Sequence, residues 1–382
     1  MKLFGSKSSH NGEPAKKRIW PRVLITVLAV VAVLLVGAYT AFEVWVRPPE
    51  QHIYTLDTDQ PRDPSEDQNS ETPAPDGSGG EEAEPTVEPT EMPVPEGGYA
   101  NENRYTFLVV GKEPDGYNTD TILVGTFDVE EEWLHIVSIP RDTLVNVPWW
   151  PAKINSVYSM SASGYGSWQY DSEIDGLCAA VKDIMGYEPA YWAVIDIVAF
   201  EKLVDAIGGI TFNVPYDMDK DEPEIHFSAG EQWLSGADAL KVVRYRDYPM
   251  GDIDRISVQQ EFLKTLADEM LTLGNIPNIG KVYGIYDEYV ETNLASGNIA
   301  WFIREFMKLD AESITFATMP GDYCLSIKGT SFVNIYLDSW LEMVNSDLSP
   351  LEREITAEDV EVVRYSDSWG YYVTSGEVKV PR

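Results

Sequence analysis

The sequence predicts an α/β fold: three layers, with a central mixed β-sheet between two layers of helices, preceded by one transmembrane helix. Three observations carry this. From residue 105 to 344, β-branched and aromatic runs bounded by Gly, Asp and Pro alternate with segments of helical spacing, the pattern of a mixed sheet covered on both faces. Residues 23–46 form a run of 24 positions with one charge, Glu43. Between these regions lies a stretch with hardly any large apolar side chain, and it separates anchor from domain.

Taken in order, residues 1–22 are a basic tail carrying Lys16, Lys17, Arg18 and Arg22. As a helix, 23–46 is about 36 Å long at 1.5 Å per residue, enough to cross a hydrocarbon core of about 30 Å. The basic flank keeps the N-terminus in the cytoplasm by the positive-inside rule, so everything after Arg47 is expected outside the cell. A cleaved signal peptide is the alternative, but the apolar run exceeds the usual signal core. Residues 48–98 hold 10 prolines, 14 acids and one arginine. Such a composition cannot bury enough to offset its ordering entropy, so 47–98 reads as a disordered linker with a reach of about 40 Å.

The domain is expected over 99–348. Strands are predicted at 105–111, 121–127 and 133–139, a helix at 172–185 stopped by Gly186, and a strand at 191–197. A helix at 198–207 closed by Gly208-Gly209 and a short strand at 210–214 follow. Then come a long helix at 256–273, the patterned segment 296–309, a strand at 314–319 and the patterned segment 333–344. Residues 349–382 are charged and short-patterned and carry no assigned role.

The chain has a net charge of −35, of which residues 1–47 contribute +5 and the linker −13, leaving about −27 on the globular part. Nucleic acid is not expected as a partner, since phosphate-backbone binding needs a broad basic face. Cys178 and Cys324 are the only cysteines; they lack any framework spacing and could pair or stay free. Serine, cysteine and zinc hydrolases fit badly: there is no Gly-x-Ser-x-Gly and no His-Glu-x-x-His, and the domain's histidines are His135 and His226.

Against this acidic background, Arg244-Tyr-Arg246, Asp252, Arg255 and Gln259 gather three guanidiniums, a carboxylate and an amide within sixteen residues. Arg244 and Arg246 sit two apart, and an extended backbone points both to one side. Arg255 and Gln259 sit four apart, on one face of an opening helical turn, with Gly251-Asp252 as the turn between. A guanidinium fork matches phosphate oxygens two at a time, so the cluster points to a phosphate or pyrophosphate. Surface salt bridges are the plainer alternative. Asp120 opens the second strand, where it is either a cap or a Mg²⁺ ligand, and Arg141 follows the third, where it could equally pair with Asp142 or Asp120 to fix a loop.

The series Phe107-Leu-Val-Val-Gly111, Thr119-Asp-Thr121, Ser138-Ile-Pro-Arg-Asp-Thr143, Lys153-Ile-Asn155, Val204-Asp-Ala-Ile-Gly-Gly209 and Leu234-Ser-Gly-Ala-Asp-Ala-Leu240 continues through Arg244-Tyr-Arg246 and Gly251-Asp-Ile-Asp-Arg255 to Gln259-Gln260. Together with the basic tail and single span, it resembles the LytR-CpsA-Psr family of cell-envelope proteins over about 105–345. The resemblance implies a phosphotransferase that moves a phosphate-linked glycopolymer from an undecaprenyl pyrophosphate carrier to peptidoglycan, assisted by Mg²⁺, at the cytoplasmic membrane. It implies that Arg141, Arg244, Arg246 and Arg255 neutralise the pyrophosphate, that Asp120 with Glu113 holds Mg²⁺, and that Gln259 bonds a phosphate oxygen. Asp252 is then either the base for the acceptor hydroxyl or a turn-former. The isoprenoid chain would need an apolar groove, expected between the sheet and the helices at 198–207 and 256–273. Two positions depart from the family pattern: Asn118 stands where many members have Arg, and Glu113 where they have Gly-x-Asp. A pyrophosphatase acting on the same carrier shares every one of these residues, and a non-catalytic glycopolymer-binding envelope protein is the alternative from another class.

Overall fold

The computed structural model describes residues 46–50, 54, 100–112, 119–161, 163–166, 168–221, 224–273, 284–286 and 288–381. The predicted span, save Val46, lies outside them, as do most of the linker, Glu113, Asn118 and the side chain of Asp252. Among the described residues no helix is long and apolar enough to cross a membrane.

Along the chain run β1 (Arg104–Lys112), β2 (Thr119–Asp128), β3 (Trp133–Ser138), α1 (Val157–Ser161), α2 (Glu173–Met185), β4 (Tyr191–Asp196) and α3 (Ile197–Ala206). Next are β5 (Ile210–Val214), β6 (Met218–Lys220), β7 (Ile225–Phe227), β8 (Gly230–Leu234), α4 (Gly236–Arg244) and α5 (Asp252–Leu273). Last come β9 (Val290–Thr292), α6 (Ser296–Phe306), β10 (Ile314–Thr318), β11 (Gly321–Ile327), β12 (Thr330–Ile335), α7 (Leu337–Met343), β13 (Val363–Ser366) and β14 (Gly370–Val373).

Six strands form one sheet in the order β10-β3-β2-β1-β4-β9. β1 pairs antiparallel with β2 and parallel with β4, while β3 pairs parallel with β10, so the sheet is mixed as expected. Side chains alternate across it. Leu108, Val110, Ile122 and Val124 are at most 1% exposed and join the same core as Leu177, Val181 and Ile184 of α2 and Trp340 of α7. Trp340 is fully buried and its Nε1 donates to the Ile184 carbonyl at 2.6 Å, tying α7 to α2. A buried side chain of this size contributes about 1.5–3 kcal/mol through the hydrophobic effect.

The helices start where local chemistry predicts. Ser172 caps α2 by accepting the Asp175 N–H, with Glu173 and Asp175 in its first turn. Asp196 caps α3 through the Val198 N–H at 2.8 Å, and Ser235 caps α4 through the Asp238 N–H at 3.2 Å.

A second apolar cluster is formed by α3, β5, the short strands β6 to β8, α4 and α5, around Val204, Phe212, Leu234, Val242 and Phe262. It makes a lobe beside the sheet. Several expectations are corrected here. Residues 236–244 are helical, so the extended reading of the arginine segment holds only at Tyr245, where ψ is 139°. Helix α5 begins at Asp252, so Asp252 opens the helix instead of forming the turn before it. Of 333–344, the first three residues finish β12, 337–343 are α-helical and Val344 opens a π-helical turn.

The domain does not end at 348. Leu351, Ile355, Val360, Val362, Val363 and Val380 are buried in the main core, and the Glu361 N–H donates to the Asp183 carbonyl at 2.6 Å. Nor does the linker begin free at Pro48. Val46 is 4% exposed, the Glu50 carbonyl accepts from Tyr191 Oη at 2.9 Å, and Tyr54 Oη pairs with Thr106 at 2.9 Å. Cys178 and Cys324 are both free thiols, one buried and one exposed. Burial, with Glu188 and Asp175 nearby, pushes the Cys178 thiol up to about 12.

Candidate active site

Parallel strands β1 and β4 end together at Gly111-Lys112 and Ile195-Asp196, beside the start of β2 at Asp120 and Thr121. In open α/β sheets the carboxyl ends of strands are where ligands are held. Here α4 and α5 close over that edge. The resulting mouth has a volume of about 180 Å³ and is lined by Lys112, Asp120, Asp196, Arg244, Arg246, Arg255 and Gln259, with Phe200, Phe262 and Leu263 beneath.

Asp120 lies at its centre. Arg141 Nη1 donates to Asp120 Oδ1 at 2.8 Å and Arg246 Nη2 donates to Asp120 Oδ2 at 2.6 Å, so two guanidiniums clasp one carboxylate from opposite oxygens. Lys153 takes Asp142 at 2.9 Å, which leaves Arg141 to Asp120. The Arg246 side chain is half exposed. An ion pair this open to water contributes at most about 1 kcal/mol, so the clasp sets direction more than it adds stability.

Arg255 is only 2% exposed, on the first turn of α5, and Gln259 stands one turn on along the same face, as the spacing predicts. The structure gives Gln259 a different contact from the expected phosphate: its Nε2 donates to the Val243 carbonyl at 3.0 Å, near the end of α4. A terminal helix carbonyl lacks an intrahelical partner, so this bond locks α5 to the element that carries Arg244. Arg244 and Arg246 are both exposed and flank Tyr245, which is buried at 7%. That alternation turns both guanidiniums to the mouth even though the helix runs through Arg244.

Below the mouth lies a second cavity of about 440 Å³, lined by Phe107, Phe127, Ile136, Phe302, Ile303 and Phe306 among others. Val109 and Leu123 border both spaces, so the arginine-lined mouth and the apolar chamber adjoin at these two side chains. The strand register places them there: Val109 pairs with Leu123, Phe107 with Gly125, and Gly125 with Ile136, in cross-strand rows on one face. Gly125 keeps the rows close, since a Cβ there would stand 2.8 Å from the His135 carbonyl. The chamber lies between the sheet and α6, with Ile207 and Met270 at its border, while the groove expected against 198–207 and 256–273 coincides with the mouth, where Phe200, Phe262 and Leu263 meet Val109 and Leu123 of the sheet.

A family model, that of the LytR_cpsA_psr family, matches residues 69–347. The chain belongs to the LytR_cpsA_psr family. LcpA of Corynebacterium glutamicum, a cell wall biosynthesis protein, is 31% identical over 254 residues, 62% of this chain and 48% of LcpA. TagV of Bacillus subtilis, a polyisoprenyl-teichoic acid–peptidoglycan teichoic acid transferase by name, is 29% identical over 186 residues, 46% of this chain and 45% of TagV. The chain thus spans about half the length of these curated relatives. The crystal structure of TagV superposes with a TM-score of 0.54 at 25% identity, over 64% of this chain and 97% of that one.

In this LytR_cpsA_psr protein, four predicted arginines do meet: Arg244, Arg246 and Arg255 line the mouth, and Arg141 reaches it through Asp120. Glu113 and the Asp252 side chain lie outside the described residues. Among the described residues no group of three or more His, Cys, Asp or Glu could hold a metal ion. The donor set still fits Mg²⁺, which takes one or two carboxylates and draws its other ligands from water and phosphate. Both Asp120 oxygens are held here by Arg141 and Arg246. Sequence reading missed Lys112 and Asp196. Asp196 had a signal, an acid between a strand and a helix; Lys112 had none beyond its place after Gly111.

Proposed function

We propose that this chain is a membrane-anchored extracellular phosphotransferase that moves a glycopolymer with its phosphate from an undecaprenyl pyrophosphate carrier to peptidoglycan in cell wall assembly. The observation that carries it is the adjacency of a mouth lined by guanidiniums and an apolar chamber of about 440 Å³. A pyrophosphate with an isoprenoid tail has that same division. The family's wall-biosynthesis relatives, and TagV's name as a transferase from polyisoprenyl carrier to peptidoglycan, support the reading.

In this reading Arg244, Arg246 and Arg255 bind the pyrophosphate oxygens, and Arg141 turns to them from Asp120. The acceptor hydroxyl attacks the phosphorus bearing the glycopolymer, the bond to the carrier phosphate breaks, and the polyprenyl phosphate leaves. The guanidiniums neutralise the charge that gathers on the leaving phosphate, which is where phosphoryl transfer needs electrostatic help. Mg²⁺, held by Asp120 with Glu113, would supply further neutralisation of phosphate oxygens. Asp252 is the proposed acceptor of the hydroxyl proton, and α6 with the sheet excludes water from the tail.

The deciding experiment is a single-turnover assay of the full-length chain with a polyprenyl-pyrophosphoryl oligosaccharide, Mg²⁺ and peptidoglycan fragments, beside Arg246→Ala. Sugar linked to the acceptor by wild type and not by the variant is the expected result. Lipid phosphate released without a linked product would mean a pyrophosphatase, and binding without turnover a non-catalytic envelope protein.

A further inference from the structure

The family match stops at residue 347, and the hairpin β13–β14 lies beyond it. Its register pairs Val363 with Val373 and Tyr365 with Tyr371 on one face, and Arg364 with Tyr372 and Ser366 with Gly370 on the other. The first face packs on the main core. The second faces outward, with Trp369 at the turn 85% exposed and Tyr372 38% exposed. Leaving an indole this open is costly in water, and such exposure marks binding surfaces.

Arg364 adds a second observation. In a domain rich in acids its guanidinium lies over the Tyr372 ring, 4.9 Å from the centroid. Among the described residues its buried Nε has no hydrogen-bond partner. An open indole beside a part-exposed phenol ring and a guanidinium matches a sugar, whose axial C–H face stacks on aromatic rings while its hydroxyls bond at their edge. A negatively charged bilayer surface is a poor match, because the acidic domain repels it.

Position supplies the third. Asn334 Nδ2 donates to the Tyr365 carbonyl at 3.4 Å and its Oδ1 accepts the Tyr365 N–H at 3.3 Å. The neighbouring Val333 N–H donates to the Asp142 carbonyl at 2.9 Å, one residue from Arg141. The hairpin is therefore connected through β12 to the loop that carries Arg141.

We propose that the outer face of β13–β14, with Trp369, Tyr372 and Arg364, is a carbohydrate-binding surface that seats a glycan strand of the acceptor peptidoglycan. Its role as an acceptor site rests on the transfer reading; its binding of glycan does not.

The test is co-sedimentation of the full-length chain with purified peptidoglycan sacculi in the absence of donor, with chitotetraose as soluble competitor. Trp369→Ala and Arg364→Ala should each weaken sedimentation about tenfold, or about 1.4 kcal/mol, chitotetraose should release the wild type, and Trp369→Phe should retain most binding. Thermal melting of Trp369→Ala should match wild type, because the removed ring is almost wholly in water. Wild-type sedimentation by Trp369→Ala, no sedimentation of the wild type, or a loss seen instead with phosphatidylglycerol vesicles would each overturn the proposal. Normal sacculus binding without transfer in the donor assay would sink the transfer reading alone.

Discussion

Asp120 receives Arg141 on one oxygen and Arg246 on the other, so a single carboxylate aims two guanidiniums at the space where Arg244 and Arg255 already point. Arg246→Lys keeps the charge and loses the planar fork. Because one well-placed arginine can supply roughly 10³ to 10⁵ in rate, turnover should fall at least about 100-fold. The exposed pair limits the stability change to about 1 kcal/mol, measured by urea denaturation; wild-type turnover would remove the phosphate role. Asp120→Asn removes both the ionic clasp and the oxygen charge a cation needs. Its Mg²⁺ activation curve should move to higher concentration, and an unchanged curve would take Asp120 out of the metal set. The arginines were legible from their number and spacing in an acidic chain. The clasp was not, since either Asp142 or Asp120 suited Arg141 equally until Lys153 occupied the first.

Among the elements, α4 decides where Arg244 and Arg246 stand, and it was the helix the sequence hid. Its Val242-Val243-Arg244 end reads as strand, and Gly236 at its start is a poor helix former. Tertiary contacts overrule this. The Gly236 N–H donates to Asp205 Oδ1 at 2.7 Å, and a Cβ at Gly236 would stand 2.1 Å from the Glu201 carbonyl oxygen, so α4 presses directly on α3. Gly236→Ala must push the two helices apart. A loss of about 1–3 kcal/mol in urea denaturation is expected, as for other overpacked contacts, together with weaker donor binding because the arginine arm moves with the helix. Unchanged stability would mean the contact is looser than it stands here. The strands β1 to β4 and helix α2, by contrast, carry strong local periods and caps, and their sequence ranges agree with the structure to within one or two residues.

At the scale of the molecule, on the proposed reading the chamber under α6 limits what tail the mouth can serve. Ile303→Trp fills part of it. The variant should lose about tenfold in kcat/KM with an undecaprenyl donor, about 1.4 kcal/mol, while a geranyl donor is affected less; equal losses would place the tail elsewhere. The docked residues Val46 and Tyr54 also change the picture of the tether. On the sequence's reading of 23–46 as a span, the domain is held close to the end of that span, and a reach of about 40 Å is not what sets its height.

Taken by itself, the sequence determined the alternation of strands and helices, the acidic balance, the set of arginines, and the family whose motifs they follow. Those signals are local, because helical and strand periods and caps act over a few residues. Only the tertiary structure decided which partners these residues take. Arg246 and Asp120 are 126 positions apart, the apolar chamber is drawn from three strands and α6, and the tail after 348 belongs to the core through side chains that show no period of their own. Such contacts exist only when distant segments are brought together, and the closure and packing that do so depend on the whole chain.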